Sequence, residues 1–286
     1  MHKNTVTMKT FKNFDDLPRQ ISTARRKMRI AVVRPADNAT QEALRRVKKH
    51  QLAETVVIDD DSPEVAAEKA VLMIRSGQAD MLMKGLIGTD QLLRAIMNKE
   101  TGLLPEGHIL THISVAEIPT YPKPLFFSDA AVIPYPTHEQ RIAQVRYTVA
   151  TCHRLGIRTP RIALVHCSEK PGKRFPFVDG YAEIKRMAAD GDFGRCIVDG
   201  PLDVKSACSR QALKAKGISS PLNGYADVLI MPDIEAGNAF YKSMTLFAGA
   251  RTAGMLCGAR CPVVVPSRGD SAESKYNSIL LALASL

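Results

Sequence analysis

Residues Cys261–Leu286, CPVVVPSRGDSAESKYNSILLALASL, contain the pattern of a buried strand followed by a helix. Val263–Val265 form a β-branched run between two prolines, which predicts the strand. Tyr276, Ile279 and Leu283 recur at helical spacing, which predicts the helix. The polar residues between these two elements therefore follow the carboxyl end of a strand.

The turn Ser267-Arg268-Gly269-Asp270 occupies this strand-to-helix junction. The first N–H groups of a helix lack partners within it and attract anions, and an arginine beside them can bind phosphate through two hydrogen bonds. In the structural alternative, Asp270 caps the helix, Glu273 completes a capping box, and Arg268 is a solvated surface charge. Taken alone, the turn favours the structural alternative; other loops reverse that preference.

Composition narrows the class of protein. A chain of 286 residues can bury a sizeable core as one large domain or as two. The formal net charge of +10 suits acidic partners, but the basic residues are dispersed and do not alternate with aromatic residues. We therefore expect small phosphate-bearing ligands rather than nucleic acid.

Several features predict a cytoplasmic protein. The segment Met1–Lys12 is polar and basic and lacks the apolar core of a secretory signal, and apolar runs such as Ile279–Ala284 are too short to cross a bilayer. The six cysteines include no CxxC pair, which predicts reduced thiols. The spacings of His, Cys and carboxylate residues give no metal site. We expect neither a membrane nor a metal.

Predicted strands and helices alternate along the whole chain, which favours parallel βαβ units. A proline-containing linker over 130–137 separates two such regions. In open α/β sheets ligands bind beyond the carboxyl ends of the strands, so the loops there are the candidate site. Residues 1–27 are predicted to form a polar helical segment. The predicted strands cover 28–33, 55–58, 81–83, 109–115, 125–128, 161–165, 195–198, 227–231 and 263–265. The predicted helices include 204–216 and 238–248.

Two of these loops have residues suited to an oxyanion. Lys84-Gly85 offers an ammonium and backbone amides around a phosphate, although a polar turn capped by Thr89 is the structural alternative. Before the helix predicted at Asn238, Gly237 permits close approach of backbone to a ligand and Asn238 can donate a hydrogen bond. Lys242, one turn further, can reach back to phosphate; the alternative is a capping Asn and a solvated Lys.

Other polar loops admit two interpretations each. The segment Asp199-Gly200-Pro201 either forms a tight turn, which its residue types favour, or lines a substrate cleft. Thr111 and Ser114 can donate hydroxyls to phosphate, and His112 between them is a general base or a satisfied structural residue. Cys167 follows His166, but neighbouring side chains on an extended chain point to opposite faces, so a thiolate–imidazole pair is disfavoured.

Five segments together resemble the phosphate acetyl/butyryl transferase family. They follow the family's order over most of the chain, from Ala79 onward. The forms KGxxxTxxLLRAxxNKExGL and SRxDSAExK are more similar to the butyryl than to the acetyl branch. The segments are ADMLMKGLIGTDQLLRAIMNKETGL (79–103), LTHISV (110–115), CIVDGPLDV (196–204), ADVLIMPDIEAGNAFYKSMTLFA (226–248) and VVVPSRGDSAESKYNSI (263–279).

The resemblance implies two doubly wound α/β domains of the isocitrate/isopropylmalate dehydrogenase-like type, with a cleft between them. The first domain would comprise 1–135 together with 261–286, and the second 136–260. The resemblance also implies a homodimer or a higher homo-oligomer, no cofactor, and coenzyme A as a co-substrate. The implied reaction is short-chain acyl-CoA + phosphate = acyl phosphate + CoA, with butyryl or a similar acyl group.

The resemblance also suggests roles for the loops. Ser267, Arg268 and the amides at Gly269–Ser271 would bind phosphate, while Lys84, Ser114 and Asn238 would add donors or stabilise the oxyanion. Acetyl-type members have an aspartate at the position of Ser274, so Asp270 or Glu273 is the candidate base for the thiol. The predicted catalytic residues are Arg268, Ser267, Asn238, Asp270 and Glu273, and the predicted phosphate- or CoA-binding residues are Lys84, Gly85, Thr111, Ser114, Asp199, Gly200, Gly237, Lys242, Gly269 and Ser271.

Other functions stay open from the sequence. Within the family, phosphate acetyltransferase is the alternative, and an acyl-phosphate enzyme of lipid synthesis differs by acyl-chain length. An oxidoreductase on the same fold would need paired metal-binding aspartates, which the sequence does not show. The net charge of +10 also fits a non-catalytic anion-binding protein.

Overall fold

The fold is that of a computed structural model, in which residues 10–22, 26–170, 172 and 174–286 are described. Ten strands form one continuous sheet in the order β2-β1-β3-β10-β9-β4-β5-β8-β6-β7. The strands are β1 (Met28–Val33), β2 (Ala53–Ile58), β3 (Met81–Lys84), β4 (Thr111–Glu117), β5 (Leu125–Ser128), β6 (Arg161–Val165), β7 (Ile197–Leu202), β8 (Val228–Ile230), β9 (Arg251–Cys257) and β10 (Val263–Val264).

Helices cover both faces of this sheet, and buried apolar residues lie between the layers. Sequence signals set many of the helix starts: Ser62 accepts a hydrogen bond from the Val65 N–H, and Pro63 is the first residue of its helix. The helices are α1 (Leu17–Ile21), α2 (Asn38–Lys49), α3 (Pro63–Arg75), α4 (Thr89–Ile96), α5 (His138–Arg154), α6 (Gly180–Asp190), α7 (Val204–Cys208), α8 (Arg210–Lys216), α9 (Ile234–Leu246) and α10 (Ala272–Ala284).

The last strand returns to the middle of the sheet. β10 pairs in parallel with β3 and antiparallel with β9, and α10 packs against α2 and β9. Val264 lies opposite Met83, so the residues that follow these two strands are neighbours. The predicted α/β class and the predicted return of the C-terminal strand and helix beside the N-terminal strands agree with this topology; the limits of the two domains stay a prediction.

The expectation of parallel βαβ units throughout was wrong at the centre of the sheet. β9 runs antiparallel to both β4 and β10, and β4 also runs antiparallel to β5. The sequence prediction contained no strand at β9, because Gly254 in its middle weakens the strand pattern. Antiparallel strands need no helical crossover, so the alternation of strands and helices did not reveal them.

Three element boundaries also differ from the prediction. β7 extends through Asp199 and Gly200, which were expected in a turn. The predicted helix over 204–216 is broken at Ser209, whose backbone is extended and whose hydroxyl accepts from the Ala212 N–H. α9 begins at Ile234 because Asp233 caps it, so Asn238 lies in the second turn and is not the cap.

The N-terminal segment, predicted as a polar helix, contributes apolar side chains to the core. Phe11, Phe14, Leu17 and Ile21 are buried, around a short 3-10 turn and α1. Residues 1–9 and 23–25, which the same prediction covered, lie outside the described residues. Within the part of the chain that the structure describes, no helix is both long enough and apolar enough to span a bilayer.

Candidate functional site

A cleft of about 670 Å³ opens beside the carboxyl ends of β3 and β10. Most of its lining is apolar, and the polar side chains come from α4, β4, α9 and the turn after β10. It is lined by Thr89, Leu93, His112, Ala130, Ala131, Val132, Ile234, Glu235, Asn238, Ala239, Leu256, Val265, Pro266 and Ser267.

A smaller, more polar cavity of about 180 Å³ shares part of this lining and continues toward α10. His112, Asn238 and Ser267 border both spaces. The smaller cavity adds charged and hydroxyl-bearing residues, so an elongated ligand could place a polar group here and an apolar group in the larger cleft. The added residues are Tyr241, Lys242, Gly254, Asp270 and Ser278.

Lys84 is the last residue of β3 and does not itself line either cavity. The side chain is 4% exposed, and its ammonium donates to the Gly85 carbonyl at 3.3 Å. Burial lowers the pKa of Lys84, and the neighbouring Lys275 and Arg268 lower it further against the attraction of Asp37 and Asp270. No carboxylate among the described residues lies within 4.0 Å of the ammonium.

The turn after β10 is closed by its own aspartate. The Ser267 N–H donates to the Asp270 carboxylate at 2.8 Å, and the Asp270 N–H donates to the Ser267 carbonyl at 3.2 Å. Arg268 projects from this turn into solvent and has no hydrogen bond or ion pair within the described residues. The structural alternative, in which Asp270 caps the helix, does not hold, since Ser271 caps α10 by accepting from the Ser274 N–H.

Glu273, a predicted catalytic residue, is held in an ion pair. Its carboxylate lies 2.9 Å from Arg251, which also pairs with Asp15 and Glu117. Glu273 borders a third cavity of about 620 Å³, which shares Lys242 and Asp270 with the smaller cavity. The structure therefore places Glu273 beside the cleft and not in it.

α9 carries two of the predicted residues. The Asn238 amide donates to the Ala130 carbonyl at 3.1 Å and retains a second N–H. Lys242 lies over the Tyr241 ring at 5.1 Å and has no ion pair among the described residues. Gly237 does not face a ligand, because a Cβ there would collide with the Asp129 carbonyl.

Gly85 and Thr111 also have structural partners. A Cβ on Gly85 would collide with the carbonyls of Val33 and Arg34 at the end of β1, so packing explains this glycine. The buried Thr111 hydroxyl donates to the Asp129 carboxylate at 2.7 Å. Thr89, expected as a cap, is instead the first residue of α4, and the Gln91 side chain accepts from the Gly88 N–H.

Asp129 is a residue that the sequence prediction missed. Its carboxylate accepts from the N–H groups of His112, Ala131 and Val132 at 2.7–3.0 Å, in addition to the Thr111 hydroxyl. It thereby shapes the loop that forms one wall of the cleft. Its position directly after β5 was a usable signal, but that loop was interpreted as a linker.

His112 and Ser114 lie on one face of β4. The His112 Nδ1 is 3.1 Å from the hydroxyl oxygen of Ser114, which is fully buried. Burial lowers the pKa of His112, while Asp129 and Asp270 act in the opposite direction. The imidazole is therefore neutral at neutral pH.

Asp199 and Gly200 lie elsewhere. They border a cavity of about 500 Å³ that shares no lining residue with the cleft. Asp199 pairs with Lys185 at 2.9 Å and accepts from the Ser220 hydroxyl at 2.7 Å. The structure does not bring these two predicted residues to the site.

Cys167 and His166 meet despite the expectation that they would not. The cysteine sulfur lies 3.8 Å from the His166 Nε2, because the chain bends after β6. Neither residue borders the cleft. Among the described residues no cluster of three or more His, Cys, Asp or Glu side chains is arranged to hold a metal ion.

The fold and the site together define an α/β protein with a largely apolar cleft at the carboxyl ends of β3 and β10, where Lys84 and Arg268 also lie. A sequence model of the family described as "phosphate acetyl/butaryl transferase" matches residues 65–283. A phosphate butyryltransferase of Clostridium beijerinckii is 32% identical over 95% of this chain and 97% of its own length. A phosphate acetyltransferase of Thermotoga maritima is 39% identical over 79% of this chain and 76% of its own length.

A solved structure agrees with these sequence relatives. The branched-chain phosphotransacylase of Enterococcus faecalis V583 superimposes with a TM-score of 0.80 and 29% identity, over 90% of this chain and 98% of that one. The chain therefore belongs to the phosphate acetyl/butyryl transferase family, and it is a phosphate acyltransferase. The predicted two-domain fold and the predicted family are confirmed.

Proposed function

We propose that the cleft binds phosphate beside the thioester of a short-chain acyl-CoA and catalyses acyl-CoA + phosphate = acyl phosphate + CoA. Coenzyme A is a co-substrate in this proposal, and no resident cofactor or metal is needed. The acyl group is butyryl or of similar size.

The observation that carries the phosphate site is a pair of cations without carboxylate partners. Lys84 is buried with no carboxylate in contact, and Arg268 lies close enough to lower its pKa. A buried cation is costly unless an anion compensates it, and a phosphate between the two would do so. Arg268 can supply a bidentate contact, and Lys84 a point charge.

The polar groups around these cations are suited to positioning and charge stabilisation. Ser267 and the amides at Gly269–Ser271 would hold phosphate, and such positioning contributes on the order of 7–11 kcal/mol of barrier lowering. The free N–H of Asn238 would donate to the tetrahedral oxyanion, for which losing one donor costs about 2.7–4 kcal/mol. Lys242 borders the same space and would bind phosphate groups of the substrate.

The larger cleft supports an acyl group longer than acetyl. Leu93, Val132, Ile234, Leu256 and Val265 form an apolar wall across from the polar residues. A methylene in such a pocket discriminates by about 1–3 kcal/mol, so butyryl and acetyl groups would be distinguished. A phosphate acetyltransferase activity is the alternative within the family.

We further propose a homodimer in the cytoplasm, as the family resemblance implies. Sedimentation of the purified protein at several concentrations tests the dimer. A species of one chain's mass, 31.3 kDa, at all concentrations would contradict it.

The reaction is tested by release of free CoA from acetyl-, propionyl-, butyryl- and isobutyryl-CoA, with and without phosphate. We expect release that depends on phosphate and is greatest for a four-carbon acyl group. Release without phosphate would indicate a hydrolase, and a preference for acetyl-CoA would overturn the assignment of the acyl group. Parallel assays with NAD and NADP test for an oxidoreductase.

A further inference from the structure

His112 occupies the junction of the two cavities. It borders both the larger cleft and the smaller polar cavity, together with Asn238 and Ser267. Its ring extends over Gly254 of the neighbouring strand β9: a Cβ at Gly254 would lie 2.6 Å from the His112 Nε2. The missing side chain of Gly254 thus provides the space in which the imidazole lies.

The two ring nitrogens of His112 have different surroundings. Nδ1 is 3.1 Å from the hydroxyl oxygen of the buried Ser114, whereas Nε2 has no hydrogen-bond partner among the described residues. When Nδ1–H donates to Ser114, the lone pair of Nε2 is left without a partner among the described residues, beside Gly254, which also borders the smaller cavity. Ser114 therefore orients the ring, and Nε2 remains available.

The groups around the ring keep it ready to accept a proton. Burial lowers the pKa of His112, so the neutral form predominates even though Asp129 and Asp270 attract the charged form. Asp129 accepts four hydrogen bonds from the protein, and Asp270 accepts from the Ser267 N–H. Tyr241 and Lys242 face the same cavity from α9.

The other acid–base candidates are engaged by protein groups or lie outside the cleft, and the Asp270 carboxylate already accepts from the Ser267 N–H. Glu273 pairs with Arg251, and Glu235 accepts from the Tyr135 hydroxyl at 2.6 Å. Cys167 and its histidine neighbour lie outside the cleft. His112 thus combines the neutral form, an unengaged nitrogen and a position between the polar and apolar ends of the cleft.

We propose that Nε2 of His112 is the proton acceptor for the thiol of coenzyme A, with Ser114 as the residue that positions the ring. This inference rests on the proposed function. In the direction of acyl-CoA formation, the S–H bond breaks and an Nε2–H bond forms. The thiolate attacks the carbonyl carbon, and the C–O bond to phosphate breaks. The imidazolium then returns the proton to the departing phosphate oxygen, and the steps run backward for phosphorolysis.

The test compares wild type with His112→Gln and His112→Ala in acyl-CoA formation from acyl phosphate and CoA. We expect kcat to fall about 10²- to 10⁴-fold in both variants, the range for loss of a general base. In wild type kcat should fall as the pH decreases through the pKa of His112, because protonation removes the acceptor, and the variants should lack this decrease. Added imidazole should restore part of the activity of His112→Ala.

Two further variants test the positioning of the ring. Ser114→Ala should lower kcat with a shifted pH profile, and Gly254→Ala should lower it by displacing the ring. His108→Gln is the matched control, because His108 is exposed and contacts Gly258 away from the cleft. Its activity should equal that of wild type.

The outcomes separate this inference from the proposed function. Wild type without phosphate-dependent acyl transfer would overturn the proposed function itself. Active wild type with unchanged kcat and pH profile in His112→Gln would overturn only the role of His112. Activity that is lost together with the melting transition in both variants, with no rescue by imidazole, would make His112 a structural residue.

Discussion

Arg268 is an exposed guanidinium whose charge acts on the buried Lys84. It makes no hydrogen bond or ion pair within the described chain, yet it lies close enough to Lys84 to lower the pKa of that ammonium. An arginine placed this way contributes little to stability in the empty protein. Its charge is available to an anionic ligand, so activity and stability should respond differently to its removal.

We therefore expect Arg268→Ala to lower kcat/KM for phosphate about 10²- to 10³-fold, the range for losing one donor that stabilises a transition state. The melting temperature should stay close to that of wild type, and Arg268→Lys should recover only part of the activity because lysine cannot form a bidentate contact. Steady-state kinetics and thermal melts measure the two effects.

Arg45→Ala is the control for this prediction. Arg45 is an exposed arginine on α2 whose one ion pair among the described residues is with Glu42, one turn away. The Arg45→Ala variant should retain the kcat/KM of wild type for phosphate. If Arg268→Ala lost stability in proportion to activity, Arg268 would be a structural residue.

At the scale of elements, α10 is fastened to α2 by a partly buried ion pair. Lys275 is 3% exposed and donates to Asp37 at 2.7 Å, while Asp37 also caps α2 by accepting from the Thr40 N–H. Burial acts to raise the pKa of Asp37, but the hydrogen bonds from Lys275 and Thr40 outweigh it and hold the pKa at about 2. This contact fixes the helix that follows the turn Ser267–Asp270.

Asp37→Asn should destabilise the protein while preserving the cap, since asparagine caps as well as aspartate. The expected loss is about 1.5–3 kcal/mol, the range for a hydrogen bond to a charged group, because the Lys275 ammonium would be left without a carboxylate. Urea unfolding at neutral pH measures it. Asp60→Asn breaks the more exposed ion pair with Lys69 and should lower the free energy of unfolding by less.

The difference in unfolding free energy between wild type and Asp37→Asn should change with pH in one direction. A carboxylate with a depressed pKa stabilises the fold fully above its unfolded value of 3.8, and this contribution is lost as the pH falls through about 2. The gap between wild type and Asp37→Asn should therefore be constant near neutral pH and close between these two values. A gap that widened on acidification would contradict the assignment.

Local signals predicted many of the elements. The β-branched residues of β10 formed the strand predicted from them. The start of α9 was misplaced because Asn238 and Asp233 are both good caps, and in the structure Asp233 is the cap while Gly237 packs against the Asp129 carbonyl. β9 was missed because its partners are distant in sequence and its central glycine lowers the strand signal.

The site was predicted to the extent that it depends on strand order. Lys84 and Arg268 come together because β3 and β10 are parallel neighbours. The resemblance implied that residues 261–286 return beside the first domain, but not which strand they join. Asp199 was included because it follows a β-rich segment, but its strand lies at the far edge of the sheet. The pairing of Glu273 with Arg251 could not be predicted, since it depends on β9 passing beside α10.

At the scale of the whole molecule, the shape of the cleft should set the choice of acyl group. Leu93 on α4 lies in the apolar wall of the larger cavity. Leu93→Phe would fill part of that space, so the ratio of kcat/KM for butyryl-CoA to that for acetyl-CoA should fall by about 10-fold or more, as expected for 1–3 kcal/mol per methylene excluded. Initial rates over the acyl-CoA series measure the ratio.

Leu72→Phe is the matched control for Leu93→Phe. Leu72 lies on α3, is 62% exposed and does not border the cleft. Leu72→Phe should leave the ratio of kcat/KM for butyryl-CoA to that for acetyl-CoA unchanged. An unchanged ratio in Leu93→Phe, with normal folding, would show that the acyl group binds elsewhere.

The central place of β10 also affects how the protein is made. A ribosome that has reached residue 260 has produced β3 and β9 but not the strand that separates them in the finished sheet. Two unpaired strand edges are templates for wrong pairing with other chains. The nascent polypeptide therefore keeps both edges exposed until Val263–Val264 emerge, and the turn Ser267–Asp270 can form only after that point.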